Sequence, residues 1–233
     1  MRQKAFTLAE VLITLGIIGI VATMTIPNLI FKYRKSVSVA KLKRTYSTLQ
    51  QALIRTLADS GGYNYVNFSD GNTQSMIDWY EHYLKPNLKV QADCIDTPGC
   101  WHTSGVTKQL NGNVALWDNG ARGIGSNIIV FKTLDNVMVN LDGASAGDIA
   151  SLFGVNANIS GLVVHVDVNG NDGPNVVGRD IFVFVYNNSI FVPAGNDKTA
   201  EEVEQDCSET GRGYYCFSYI LRNNWQIKDD MVL

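Results

Sequence analysis

Between Val11 and Phe31 the chain carries no charged side chain; the run reads VLITLGIIGIVATMTIPNLIF. That is about the twenty apolar residues a bilayer-spanning helix needs. Beyond Pro27-Asn28 the pattern changes. Val39, Leu42, Tyr46, Leu49, Leu53 and Leu57 recur at spacings of three and four, an amphipathic helical stripe, and Gly61-Gly62 is a natural stop. The pattern predicts one helix from Phe6 to about Ser60, roughly 80 Å long at about 1.5 Å per residue. Its first half is apolar all round, and its second half has one face to bury. Gly16, Gly19 and Pro27 are the places where such a helix can bend or melt locally.

The rest of the chain has a different rhythm. Thr73 to about Lys85 reads as a short helix ended by Pro86, followed by a loop that holds Cys94 and Cys100. From Asn113 onward β character dominates: NVALWD, SNIIVFKTL, NVMVNL, GLVVHVDV, DIFVFVY and SIFVPAG, separated by Asn, Gly and Asp. Short runs of this kind predict an antiparallel meander. Tyr186-Asn187-Asn188-Ser189 marks a tight hairpin turn, because Asn tolerates the left-handed region. GASAGDIASLFG, between two runs, reads as a short helix or a loop. Thr199–Gln205 reads as a helix, and YYCFSYILRNNWQI as a last strand or hairpin. The fold class is α+β: a long N-terminal helix, part membrane-compatible and part amphipathic, packed on an antiparallel sheet.

Charge refines the N-terminus. A basic leader, MRQK, ends at Ala5, and one carboxylate, Glu10, sits just inside the front of the apolar stretch. An ionisable group beside a membrane span is expensive, so it points to a function and a partner. An ordinary secretory signal places its small-residue cleavage site after the apolar region. Here the small residue comes before it, and no A-x-A site closes the run. An uncleaved single-pass anchor, with Arg2 and Lys4 held inside, is the plain alternative. In that setting Glu10 would only reach back toward the headgroups.

The combination of Phe6, Thr7, Leu8, Glu10 and the apolar run resembles the N-terminus of type IV prepilins, including the pseudopilins of type II secretion systems. The resemblance covers about thirty residues, with Pro27 matching a proline common low in the family's helix. It implies cleavage by a prepilin peptidase at Ala5–Phe6, methylation of Phe6, and an assembly role for Glu10. Glu10 would pair with the neighbouring subunit's new amine in a charge-assisted contact. Ala5 stands where the family usually has Gly. The implied layout is a leader over 1–5, a stem helix over 6–60 with its membrane and assembly half over 6–31, and a pilin-like head over 61–233.

Composition then bounds the head. Net charge is −3, and removal of Arg2 and Lys4 with the leader makes it −5. That gives no support to nucleic-acid binding, which wants a basic footprint. Lys32, Arg34, Lys35, Lys41, Lys43 and Arg44 cluster past the apolar run, where the competing readings are a headgroup anchor and a solvated face. The four cysteines fall into two close pairs, Cys94 with Cys100 and Cys207 with Cys216, and permit three connectivities. The C-out topology implied by the resemblance places them in an oxidising compartment, where short-range disulfides are the simplest arrangement. A zinc site competes, without CxxC spacing or a following His pair.

VDVNGNDGPNVVGRD, residues 166–180, offers hard oxygen donors of the kind calcium prefers. Asp167, Asn169, Asn171 and Asp180 are the candidate ligands. The EF-hand match fails, since Asp172 occupies the glycine position and no Glu follows at the twelfth. Some pseudopilins bind calcium in a C-terminal loop; the competing reading is a turn in which Asn, Asp and Gly satisfy the backbone. His82, His102 and His165 lack metalloprotease spacing. Ser104 and Ser126 have no nucleophile-elbow context, and Gly120–Gly125 has no phosphate-loop lysine. Trp79, Tyr80, Tyr83 and Trp101 read as core more readily than as a binding surface. The expectation is a structural subunit, not an enzyme and without a required cofactor. Its implied partners are a prepilin peptidase, an inner-membrane assembly platform, and copies of itself or other pilin-like subunits, with the head in the periplasm or outside the cell. A membrane-anchored binding or adhesive protein that uses the helix as a tether is the alternative from another class.

Overall fold

A computed structural model describes residues 7–61, 66–95, 97, 99–103, 105–115 and 128–227. The chain divides into two compact units, residues 1–37 and 38–233. Helix α1 (Leu8–Ser60) runs without interruption through Pro27. Its stripe is buried as the spacing predicts. Val39, Leu42, Leu49 and Leu53 are in the core with Ala52, while Tyr46 and Leu57 are half-buried.

Six antiparallel strands form one sheet in chain order: β1 (Val90–Ile95), β2 (Ile128–Thr133), β3 (Met138–Ala144), β4 (Gly161–Asp167), β5 (Ile181–Asn187) and β6 (Ile190–Pro193). Every residue of β4 and β5 is buried, as befits central strands covered on both faces. On one face, Tyr46 of α1 meets Phe184 edge-on at 5.5 Å, and Tyr80 stacks on Phe131 at 5.3 Å. Trp79, at the end of α2 (Thr73–Trp79), lies 4.8 Å from Tyr186 on the same face. On the other face, Phe153 of α3 (Ala146–Phe153) approaches the buried His165. The β5–β6 turn places Asn188 and Ser189 at φ 50° and 71°, the left-handed pair a two-residue hairpin requires.

Helix α1 also covers the outer edge of the sheet. Tyr46 Oη donates to Phe191 O at 2.9 Å, and Phe191 N donates to Gln50 Oε1 at 2.8 Å. A strand edge that would otherwise template pairing with another chain is thereby satisfied.

Several expectations are corrected. Tyr214–Ile227 is neither strand nor hairpin: Cys216–Arg222 forms helix α5. Cys216 to Ile220 are all buried, so no polar face exposes the helical period, and the aromatic and β-branched composition mimics a strand. Val90–Ile95 is an edge strand rather than loop, with Gln91 and Ala92 exposed and the register shifted between Val90 and Ala92. In NVALWD, Val114 makes only an isolated bridge to Lys108, and residues 116–118 lie outside the described part. The helix from Thr73 changes pitch, through a π turn over Tyr80–Leu84 and a 3-10 turn over Lys85–Asn87 that accommodates Pro86. GASAGDIASLFG resolves to the helix α3, started by Ser145 accepting from Asp148 N and stopped by Gly154 at φ 62°. Helix α4 (Ala200–Asp206) begins with a full capping box between Thr199 and Glu202.

Candidate membrane and assembly segment

From Leu8 to Phe31 the side chains are exposed, apart from a half-buried Ala22. Leu8 and Met24 keep 77% and 70% of their surface. Among the described residues this is one helix long and apolar enough to cross a membrane, the arrangement of a single-pass anchored protein. Its few polar groups are satisfied on their own backbone. Thr14, Thr23 and Thr25 donate to the carbonyls of Val11, Ile20 and Val21 at 2.8–2.9 Å. Such bonds remove the cost of an unpaired hydroxyl in hydrocarbon.

Glu10 is held differently. Its Oε2 accepts from Thr7 N and from Thr7 Oγ1, both at 2.8 Å, while Glu10 N donates to Thr7 Oγ1 at 3.3 Å. This is a capping box: two donors that the helix start leaves orphaned are answered within one turn. The capping role was not anticipated from sequence, although Thr7 and Glu10 stand at the spacing that signals it. The carboxylate therefore has a local function in the isolated chain besides any contact between chains.

The basic stretch is only partly engaged. Lys35 lies over the Phe31 ring at 4.5 Å, Lys43 over Trp225 at 5.3 Å, and Arg44 meets Asp135 at 3.5 Å with both groups well exposed.

The loop from Asp167 to Asp180 brings together three of the four candidate metal ligands. Asp167 Oδ1 accepts from Asn169 N and Gly170 N at 3.0 and 2.9 Å, and its Oδ2 meets His102 Nε2 at 2.7 Å. Asp180 accepts from Val176 N, Asn175 N and Asn169 Nδ2 at 2.7, 2.8 and 3.2 Å. Asn171 is exposed and is not drawn into this cluster. Burial pushes both carboxyls above the usual range, Asp180 to about 6 with the nearby Asp167 adding to the rise. Backbone donors hold both carboxylates, so the loop is closed by hydrogen bonds in the manner of an Asx-rich turn. Among the described residues no group of three or more His, Cys, Asp or Glu side chains is placed to hold a metal.

His102 pairs with Asp167 across 65 residues, a contact that no local pattern signals. Cys100 is bonded to Cys94 and Cys207 to Cys216, the short-range pairing of the three possible. His165 is fully buried on β4, and burial lowers it to about 3, so it stays neutral. Trp79, Tyr80 and Tyr83 are core residues and Trp101 is half-buried, which leaves no exposed aromatic surface there.

Residues 1–26 match the family model described as the prokaryotic N-terminal methylation motif, the prepilin-type cleavage and methylation signal of type IV pilin-like proteins. Ala5 and Phe6 fall inside the matched stretch and outside the described residues. No curated protein and no solved structure matches the chain.

Proposed function

We propose that this chain, which carries a prepilin-type cleavage and methylation signal, is a structural subunit of a filament of the type II secretion or type IV pilus kind. A prepilin peptidase cuts Ala5–Phe6 and methylates the new amine of Phe6. The subunit waits in the inner membrane with its head on the periplasmic or outer side. Assembly then moves the apolar stem from lipid into a bundle of other stems. The observation that carries this reading is the methylation signal joined to an apolar helix whose described side chains from Leu8 to Phe31 are exposed apart from a half-buried Ala22. A tether needs only hydrophobic length. A polymer also needs a register, and one carboxylate at the front of a uniformly apolar rod supplies it when it meets the cationic amine of a neighbour. The two disulfides support a head folded in an oxidising compartment. The head is a spacer and contact surface rather than a catalyst, and among pilin-like subunits the secretion pseudopilin is favoured. An acidic total charge speaks against a DNA-uptake role.

Expression with and without a prepilin peptidase tests the proposal. With the enzyme, intact-mass measurement should show residues 1–5 removed and one methyl group on Phe6; without it, Met1 should remain. A mature chain that keeps its leader in cells containing an active peptidase refutes the reading and leaves a tethered binding protein.

A further inference from the structure

The two disulfides sit in unlike surroundings. Both close short loops, over sequence separations of 6 and 9, and on chain entropy alone such loops differ by less than about twofold in how readily they close. Burial separates them much further. Cys207 caps the end of α4 and Cys216 opens α5, and they keep 6% and 0% of their surface. A Cβ placed on Gly178 would lie 2.7 Å from Cys216 Sγ and 3.2 Å from the Gly213 backbone, so glycine backbone closes over that sulfur. A thiolate reaches this bond only when the head unfolds around it.

Cys94 stands near the end of β1, the outermost strand of the sheet, and is half-buried, while its partner Cys100 keeps 2% of its surface. Thr97 and Gly99 between them are exposed. Cys94 Sγ lies 4.0 Å from where a Gly99 Cβ would stand, and no other described atom comes within 4 Å of that point. The missing side chain leaves an open approach to one sulfur, which is what thiol–disulfide exchange requires. The bond also holds something in place. Two residues past Cys100, His102 Nε2 meets Asp167 Oδ2 at 2.7 Å, with side-chain exposures of 7% and 0%. Further on, the chain is tied down separately: Lys108 N donates to Asn175 O, Val177 N to Lys108 O, and Asn111 N to Gly211 O, at 2.8–3.0 Å. Opening the first disulfide therefore loosens the stretch that carries His102 and leaves residues 108–111 anchored.

We propose that Cys94–Cys100 is a redox clasp: a dithiol partner opens it in the folded head, Cys207–Cys216 stays shut, and opening frees His102 from Asp167. The partner's thiolate attacks Cys94 Sγ. A disulfide forms between partner and Cys94, the Cys94–Cys100 bond breaks, and Cys100 leaves as a thiolate that takes a proton from water. The partner's second thiol, deprotonated, then attacks its own bonded sulfur. Cys94 is released as a thiolate, and the partner ends as an internal disulfide. The reverse sequence, from the oxidised partner, closes the clasp again. The partner class is thus an oxidoreductase with two neighbouring cysteines. The clasp belongs to the head and stands whether or not the stem polymerises.

The test uses the oxidised full-length chain in detergent, with dithiothreitol as the dithiol at about pH 8, where thiols are partly ionised. Samples are alkylated with iodoacetamide at intervals and mapped by peptide mass. Cys94 and Cys100 should be alkylated about a hundredfold or more faster than Cys207 and Cys216. In denaturing guanidinium the two pairs should open at similar rates. Far-UV circular dichroism should hold while the first pair opens. A monothiol, 2-mercaptoethanol, quenched in acid should be found on Cys94, with Cys100 free. The three histidines then read the clasp. After reduction and alkylation, diethyl pyrocarbonate should modify His102 about tenfold faster than in the oxidised chain. The exposed His82 should react in both states and the fully buried His165 in neither. Equal native rates for the two pairs, or loss of the dichroism as the first opens, would overturn selective opening. An adduct on Cys100 would overturn attack at Cys94. Unchanged His102 labelling would overturn its release.

Discussion

Replacing Glu10 by Gln separates two roles that replacement by Ala would merge. In the chain as folded, Glu10 Oε2 accepts two hydrogen bonds at 2.8 Å from Thr7. A glutamine oxygen can accept both, so the capping box survives and only the charge is lost. If Glu10 serves its own helix alone, the loss is the favourable charge at a helix start, below about 1 kcal/mol and so under about fivefold in an assembly equilibrium. If Glu10 is the desolvated partner of a neighbour's amine, the loss is about 2–5 kcal/mol, or about thirtyfold and upward. The two ranges do not overlap. The assay is the ratio of sheared or sedimented filament to membrane-held subunit at matched expression, with peptidase processing checked by mass. Glu10→Ala should be at least as damaging, since it removes cap and charge together. Assembly of Glu10→Gln within about fivefold of the unaltered chain refutes the intermolecular pairing.

Three further outcomes follow from the head. Gln50→Leu leaves Phe191 N–H unpaired and should cost about 1–3 kcal/mol, which thermal unfolding in detergent should register as a fall in midpoint of about 2–4 °C for each kcal/mol; an unchanged midpoint would show that α1 does not seal the β6 edge. Asp142 is pushed up to about 7 by burial and by Asp148. Its folded value lies above the unfolded one, so its contribution is present at acid pH and lost as pH rises through 7. The stability of Asp142→Asn relative to the unaltered chain should therefore grow between about pH 4 and 8. Comparison with the variant is needed because His165, lowered in the fold, pulls the other way; parallel profiles would refute the assignment. Asp167 and Asp180 already accept three hydrogen bonds each, so millimolar calcium should move the midpoint by less than about 1 °C. Binding at a hundredfold excess over the dissociation constant would contribute about 2.7 kcal/mol and raise the midpoint by several degrees, which would assign a metal to the loop.

What could be read from the chain in advance follows a physical line. The stem stripe and β2 to β5 are visible because their burial obeys a short period or fills a whole apolar run. Strand β1 is not, because a half-exposed edge with Gln91 and Asp93 looks like loop. Helix α5 is misread because Phe217, Tyr219 and Ile220 are all buried, so neither face declares itself. The assembly segment is legible because a membrane imposes its demands on consecutive residues. His102 with Asp167, and Gln50 with Phe191, are not legible: these pairs span 65 and 141 residues, and only the folded sheet brings them together.

The path of the sheet has a temporal consequence. Each strand pairs with the one made just before it, so the meander can grow as the polypeptide emerges. The contacts of Tyr46 and Gln50 to Phe191 reverse that order, since the earliest segment must wait for the last strand. Until about four-fifths of the polypeptide has been synthesised, the amphipathic part of α1 has no edge to close. Parking the leading end in a bilayer keeps it from premature, unproductive encounters while the remainder catches up.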